Sequence, residues 1–225
     1  MNAAPMEIAV HVGGCRARLV VAPRIGLTLP RVWYHVGTTV HAARELGLFH
    51  TQRTLLLGHD HTGASELAGI AWDRTEHPLA TQSRALMALL DAALAHIAER
   101  RGEHAERLMV ELPGVRDAAG QSPFWQGLGR HFYEGDPQQA AAVHGAAWRS
   151  HVAALLPRQP IYASFLPEAA QAAIAQVSPE TLVLREVLEE CGLRYAHHVN
   201  VEDGGPVLDA AIDDLLQLRS MRGNQ

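Results

Sequence analysis

Apolar and polar positions alternate over residues 16–22 and 32–40, with Val, Tyr and Thr enriched, and Pro23, Gly26 and Pro30 punctuate the stretch between them. That pattern predicts two strands, with Trp33 and Tyr34 half-buried in the second. Residues 54–57 and 67–72 are a further apolar pair on either side of a polar loop and are expected to pair around it. From 79 to 101 the period changes: Leu79, Leu86, Leu89, Leu90, Leu94 and Ile97 recur at helical spacing among alanines, and Glu99-Arg100-Arg101-Gly102 closes the helix. Residues 107–112 return as an apolar strand, so strand, helix and strand form a crossover unit of a mixed α/β sheet. Helices are predicted over 124–133, 137–155, 167–175 and 180–191, a strand over 194–201 and a last helix over 211–221.

A chain of 225 residues that is 48% hydrophobic can bury a full core, and one domain over 1–225 is expected, with residues 1–15 weakly ordered. The net charge of −5 comes without any basic run, which argues against a nucleic-acid partner. Cys15 and Cys191 lie far apart and in no CxxC pair; a reducing cytoplasm fits, and neither sits in a motif that would activate a nucleophile. No segment reads as a signal peptide or a membrane span. The fourteen histidines are scattered without metal-ligand spacing, so no metal site is expected, and His197-His198 would point to opposite faces of a strand.

The polar loop Gly58-His59-Asp60-His61-Thr62-Gly63-Ala64-Ser65-Glu66 carries more titratable groups than a turn requires. His61 beside Asp60, with Glu66 at the next strand entry, could accept a proton from an attacking amine. The plainer reading is that Asp60 and Ser65 cap turns and the histidines are solvated. Glu111 stands in an apolar strand, either at its exposed end or buried for a purpose. Asp203 opens Asp-Gly-Gly-Pro, a sufficient turn without a ligand. Ser122-Pro123-Phe124-Trp125 reads as a helix start with Ser122 as N-cap and the aromatics as core, although a helix N-terminus also attracts anions.

Three blocks, the DHTGxSEL loop, Gln121-Ser122-Pro123-Phe124-Trp125-Gln126-Gly127-Leu128-Gly129 and Asp203-Gly204-Gly205-Pro206, resemble in order and spacing the arginine N-succinyltransferase family over roughly residues 20–222. The resemblance implies an α/β (α+β) fold of the GCN5-related acyltransferase type, a mixed and largely antiparallel sheet flanked by helices. It implies transfer of succinyl from succinyl-CoA, or of another acyl group from its CoA ester, to the α-amino group of arginine or a related amine. No permanently bound cofactor is expected. On the same ground Asp60, His61 and Glu66 are the catalytic candidates, and Thr62, Ser65, Glu111, Ser122, Trp125 and Asp203 the substrate-binding ones. An arginine substrate asks for carboxylates, because a guanidinium is best held by planar bidentate pairing.

Two departures accompany the likeness. Where family members carry glycines ahead of the long helix, this chain reads Arg74-Thr75-Glu76-His77-Pro78-Leu79, without glycine and with a carboxylate and an N–H-less proline; Arg74 is the remaining candidate for CoA phosphates. The N-terminal stretch is also short of the family's usual first strand and helices. The alternative reading is therefore a catalytically impaired homologue, a partner subunit or an amino-acid-binding module that no longer binds CoA, and a homo- or hetero-oligomer with a related subunit is expected either way.

Overall fold

The computed structural model describes residues 4–145 and 147–222. Its strands are β1 (Met6–Val12), β2 (Cys15–Ala22), β3 (Trp33–Ala43), β4 (Leu48–Gly58), β5 (Ser65–Trp72), β6 (Arg107–Glu111), β7 (Ile161–Tyr162), β8 (Arg194–Asn200) and β9 (Pro206–Ala211). They form one sheet in the order β1-β2-β5-β6-β9-β8-β3-β4-β7, antiparallel at every seam except the parallel β5–β6. The helices are α1 (Leu79–Glu99), α2 (Pro123–Gly127), α3 (Pro137–His144), α4 (Ala147–Ala153), α5 (Glu168–Ala173), α6 (Leu182–Cys191) and α7 (Ile212–Arg222).

Period-two burial puts Cys15, Ala17, Leu19 and Val21 of β2 on one face, against Leu86, Leu89, Leu90, Leu94 and Ile97 along one side of α1. Helices α6 and α7 complete this cluster through Leu184, Leu188 and Leu215. Further along the same face Tyr34, Leu55 and Val199 pack against Phe124, Trp125 and Trp148 from α2 and α4. The pleat sends Trp33, Met109 and Val207 to the opposite face, where with Ile25 they form a smaller cluster under the loops 23–32 and 59–64. The expected mixed, largely antiparallel sheet flanked by helices is what the chain forms.

Several expectations need correction. Residues 54–57 and 67–72 do not pair: β4 aligns with β3 over eleven positions, β5 joins β2 and β6, and four strands lie between them. The connecting loop turns on its own Thr62 N–H to His59 C=O bond, as a hairpin loop would, but is then fastened to segment 23–26 by Ile25 N–H to Ala64 C=O and Gly63 N–H to Ile25 C=O. Residues 6–12, expected to be weakly ordered, are a full strand because β2 offers a seven-residue partner. Trp33 and Tyr34 are wholly buried, one on each side of the sheet. The helix expected over 124–133 stops at Gly127, where Leu128 leaves helical geometry at φ −132° and ψ −68° and a separate 3-10 turn, Gly129–His131, follows, its Gly129 so close to the Trp125 ring that a Cβ would collide with it. The helix expected over 137–155 is split by Gly145 at φ 58°.

Candidate functional site

The parallel seam is short. Only Ser65↔Leu108 and Glu66↔Met109 are in register, after which β5 and β6 part. Beyond this parting β5 bulges against β2, its other neighbour, where Gly69 at φ +59° and Ile70 together oppose Leu19 between the aligned pairs Arg18↔Ala71 and Val20↔Ala68. Among the described residues no strand lies beside the β5 edge that faces β6 past Glu66, which leaves its backbone donors and acceptors available for something else. A cleft of about 470 Å3 opens there, lined among others by Glu66, Glu111, Asp203, Arg31, Arg116 and Arg149.

Charges in this cleft alternate. Arg31, on the loop before β3, makes a bidentate pair with Glu66 (2.7 and 2.9 Å) and a further bond to Glu111 (2.5 Å). Arg149 from α4 joins Glu111 (2.8 Å) to Glu202 (2.8 Å), and the Trp33 indole N–H donates to Glu111 (2.6 Å). Burial alone would lower both arginines, but Glu111, with Glu66 for Arg31 and Glu202 for Arg149, keeps each above its ordinary value. Asp203 is different: burial raises its carboxyl, against bonds from the Asn200 amide (2.7 Å) and the Gly205 N–H (3.0 Å) and the charge of Arg116 at 3.6 Å. It anchors the 200–205 turn as well as lining the cleft.

Of the residues singled out in sequence, Glu66, Glu111 and Asp203 therefore meet, although 137 positions separate the first and last. The others stand apart. His61 is buried on the Trp33 face of the sheet, 5.2 Å from the Trp33 ring and 4.6 Å from that of His198 between centroids, and does not line the cleft. Burial, and then His198, lower its pKa. Asp60 lies 3.4 Å from His198 Nε2 and lines a separate depression with His35, Leu56 and His59. Thr62 is exposed beside Gly26. Ser65 is buried, donating to the Pro23 carbonyl (2.6 Å) and accepting from Ala105 N–H (3.0 Å). Ser122 accepts from Trp125 N–H at 3.1 Å as an N-cap, and Trp125 packs in the core.

Arg74 sits near the start of α1, in a cavity of about 830 Å3 shared with Glu180 and Glu186. It stacks on Trp72 at 4.5 Å and pairs with Glu180 at 2.8 Å. Gln82 pins the preceding loop, donating to the carbonyls of Arg74 (2.7 Å) and His77 (2.8 Å) and accepting from Trp72 (2.8 Å). Helix α1 opens on Pro78 without a side-chain cap. An arginine already paired and two neighbouring carboxylates are a poor donor set for a pyrophosphate, whereas the open β5 edge suits an extended amide-bearing arm.

Arg31, Arg149, Arg116 and Glu202 carried no pattern in the sequence. The one signal was Glu111 itself, since an acid in an apolar strand demands a cation without saying which. Among the described residues no cluster of three or more His, Cys, Asp or Glu is arranged to hold a metal, and no helix is long and apolar enough to cross a membrane.

The family described as arginine N-succinyltransferase beta subunit matches residues 9–217. Arginine N-succinyltransferases of Salmonella arizonae and Salmonella paratyphi B are each 38% identical over 212 residues, which cover 94% of this chain and 60% of theirs. Among solved structures, arginine/ornithine succinyltransferase subunit AI from Pseudomonas aeruginosa superposes with a TM-score of 0.72 at 26% identity, over 89% of this chain and 57% of that one. The chain thus spans about 60% of the length of the curated relatives it matches.

Proposed function

The chain belongs to the arginine N-succinyltransferase beta subunit family, and on that premise we propose that its β5–β6 cleft carries out acyl transfer from a CoA thioester to the α-amino group of arginine or a related amine, with succinyl-CoA as the donor. The observation that carries this reading is the splayed parallel seam, with an unpaired backbone edge on one wall and opposed charges at its root. In this scheme the neutral amine attacks the thioester carbonyl. The oxyanion is met by β5 backbone N–H groups beyond Glu66, which cost no reorganisation because they are already fixed. Collapse breaks the C–S bond and expels the CoA thiolate, and the proton lost by the amine nitrogen passes through water to that sulfur, so that the amide and a neutral thiol leave.

Glu66, Glu111 and Glu202 are committed to Arg31 and Arg149, so the acceptor's guanidinium falls to Asp203 and its carboxylate to Arg116, whose mutual contact at 3.6 Å is the loosest ion pair in the cleft. Asp60, Thr62, Ser65, Ser122 and Trp125 then hold the walls rather than the substrate. A second reading is favoured by one observation, the occupied Arg74 and its acidic surroundings: a binding module or partner subunit that takes the amine without CoA.

Isothermal titration with CoA, followed by L-arginine with and without CoA, separates the two. Saturable CoA binding at micromolar Kd or tighter, about −8 kcal/mol, is the expected result. Arginine bound without CoA would leave the binding module, and neither ligand bound would overturn both readings.

A further inference from the structure

The sheet supports only the base of the β3–β4 hairpin. Its two strands are in register from Trp33↔Gly58 to Ala43↔Leu48, yet β8 covers only Trp33, Tyr34 and His35, and β7 only Thr54 and Leu55. Residues 36–43 and 48–53 thus project as a two-stranded arm, closed by the turn Arg44–Leu46 and Gly47. A lone two-stranded ribbon is marginal in water, and its outer edges hold unpaired backbone donors and acceptors. This arm also carries large apolar side chains in solvent: Val40 is 54% exposed, Leu46 72%, Leu48 54% and Phe49 73%.

The devices that keep a free edge solitary are missing from β3. Residues 36–43 read Val-Gly-Thr-Thr-Val-His-Ala-Ala, with no Lys, Arg, Asp, Glu or Pro, and the register with β4 runs through them without a bulge. The β4 edge is less suited, since it carries Arg53 and runs toward β7 and the turn Ala163–Phe165, where Ser164 bonds Gln52.

We propose that the β3 edge of the arm is the interface of a two-fold homodimer, in which residues 37–43 pair antiparallel with the same residues of a second copy about Val40. Three features select a second copy of this chain. The free stretch runs from the end of the β8 contact at His35 to the turn at Arg44, so two such arms fill each other's vacant edge end to end. A strand without charges meets itself without like-charge repulsion. In this register Thr38, Val40 and Ala42 with Phe49 of both copies, which share one face of the arm, merge into one apolar stripe, an isologous contact in which each patch covers its own image. The dimer does not depend on the acyl-transfer reading.

Sedimentation of the full chain at micromolar concentrations tests it, together with hydrogen exchange of the arm amides. The expected result is a dimer whose amides across 37–43 exchange slowly. Val40→Lys, at an exposed position, should give a monomer with unchanged circular dichroism, a melting temperature that no longer rises with protein concentration, and at least tenfold faster exchange in that segment. A wild-type monomer with fast-exchanging arm amides would overturn the proposal, and so would a dimer that V40K leaves intact.

Discussion

Burial on its own would push the Glu111 carboxyl up, but Arg149 and Arg31, with the indole of Trp33, outweigh it and hold it at about 2. Because that folded value lies below the ordinary one of about 4.3, the stability Glu111 contributes is fully present above pH ~4.3 and is lost as the pH falls toward about 2. Glu111→Gln keeps the shape and removes the charge, leaving two buried guanidiniums short of a partner. We expect a loss of about 3 kcal/mol in urea unfolding at pH 7, and an acid limb shallower than that of the wild type. An unchanged midpoint would show that the charges are satisfied by solvent instead. Little of this network was legible in the sequence, since Arg31 lies 80 positions from Glu111 and ion pairs over such spans leave no period to read. Ser122 was legible because a cap acts within one turn of its own helix.

At the scale of elements, what had a period was readable: β2, α1, β6 and α6 sit where their apolar spacing put them. Partner choice had no such local mark. The loop 58–66 has the composition of a hairpin turn, and only the competing partners β3 for β4 and β2 for β5 show that it is a crossing. The bulge beside the cleft depends on Gly69 in the left-handed region, where a Cβ would meet no other atom within 4 Å. Gly69→Val therefore tests the backbone alone: a cost of about 1–2 kcal/mol in thermal unfolding, with acyl transfer falling further than stability as that wall of the cleft shifts. Turnover that merely follows the folded fraction would show that the bulge does not set the cleft.

For the whole molecule the order of strands in space is far from their order in the chain, for β8 and β9 lie in the middle of the sheet between β6 and β3. A chain ending after Cys191 should retain β1-β2-β5-β6 and β3-β4 as separate pieces and lose the cooperative unfolding transition of the full protein, measurable by calorimetry; a single sharp transition would contradict this. During synthesis the consequence is a wait. At about 5–20 residues per second, roughly 8–30 s separate the appearance of Trp33 from that of its neighbours in β8. For that interval the nascent chain holds two half-sheets with open edges, and the keystone that joins them is made only after every other strand of the described sheet.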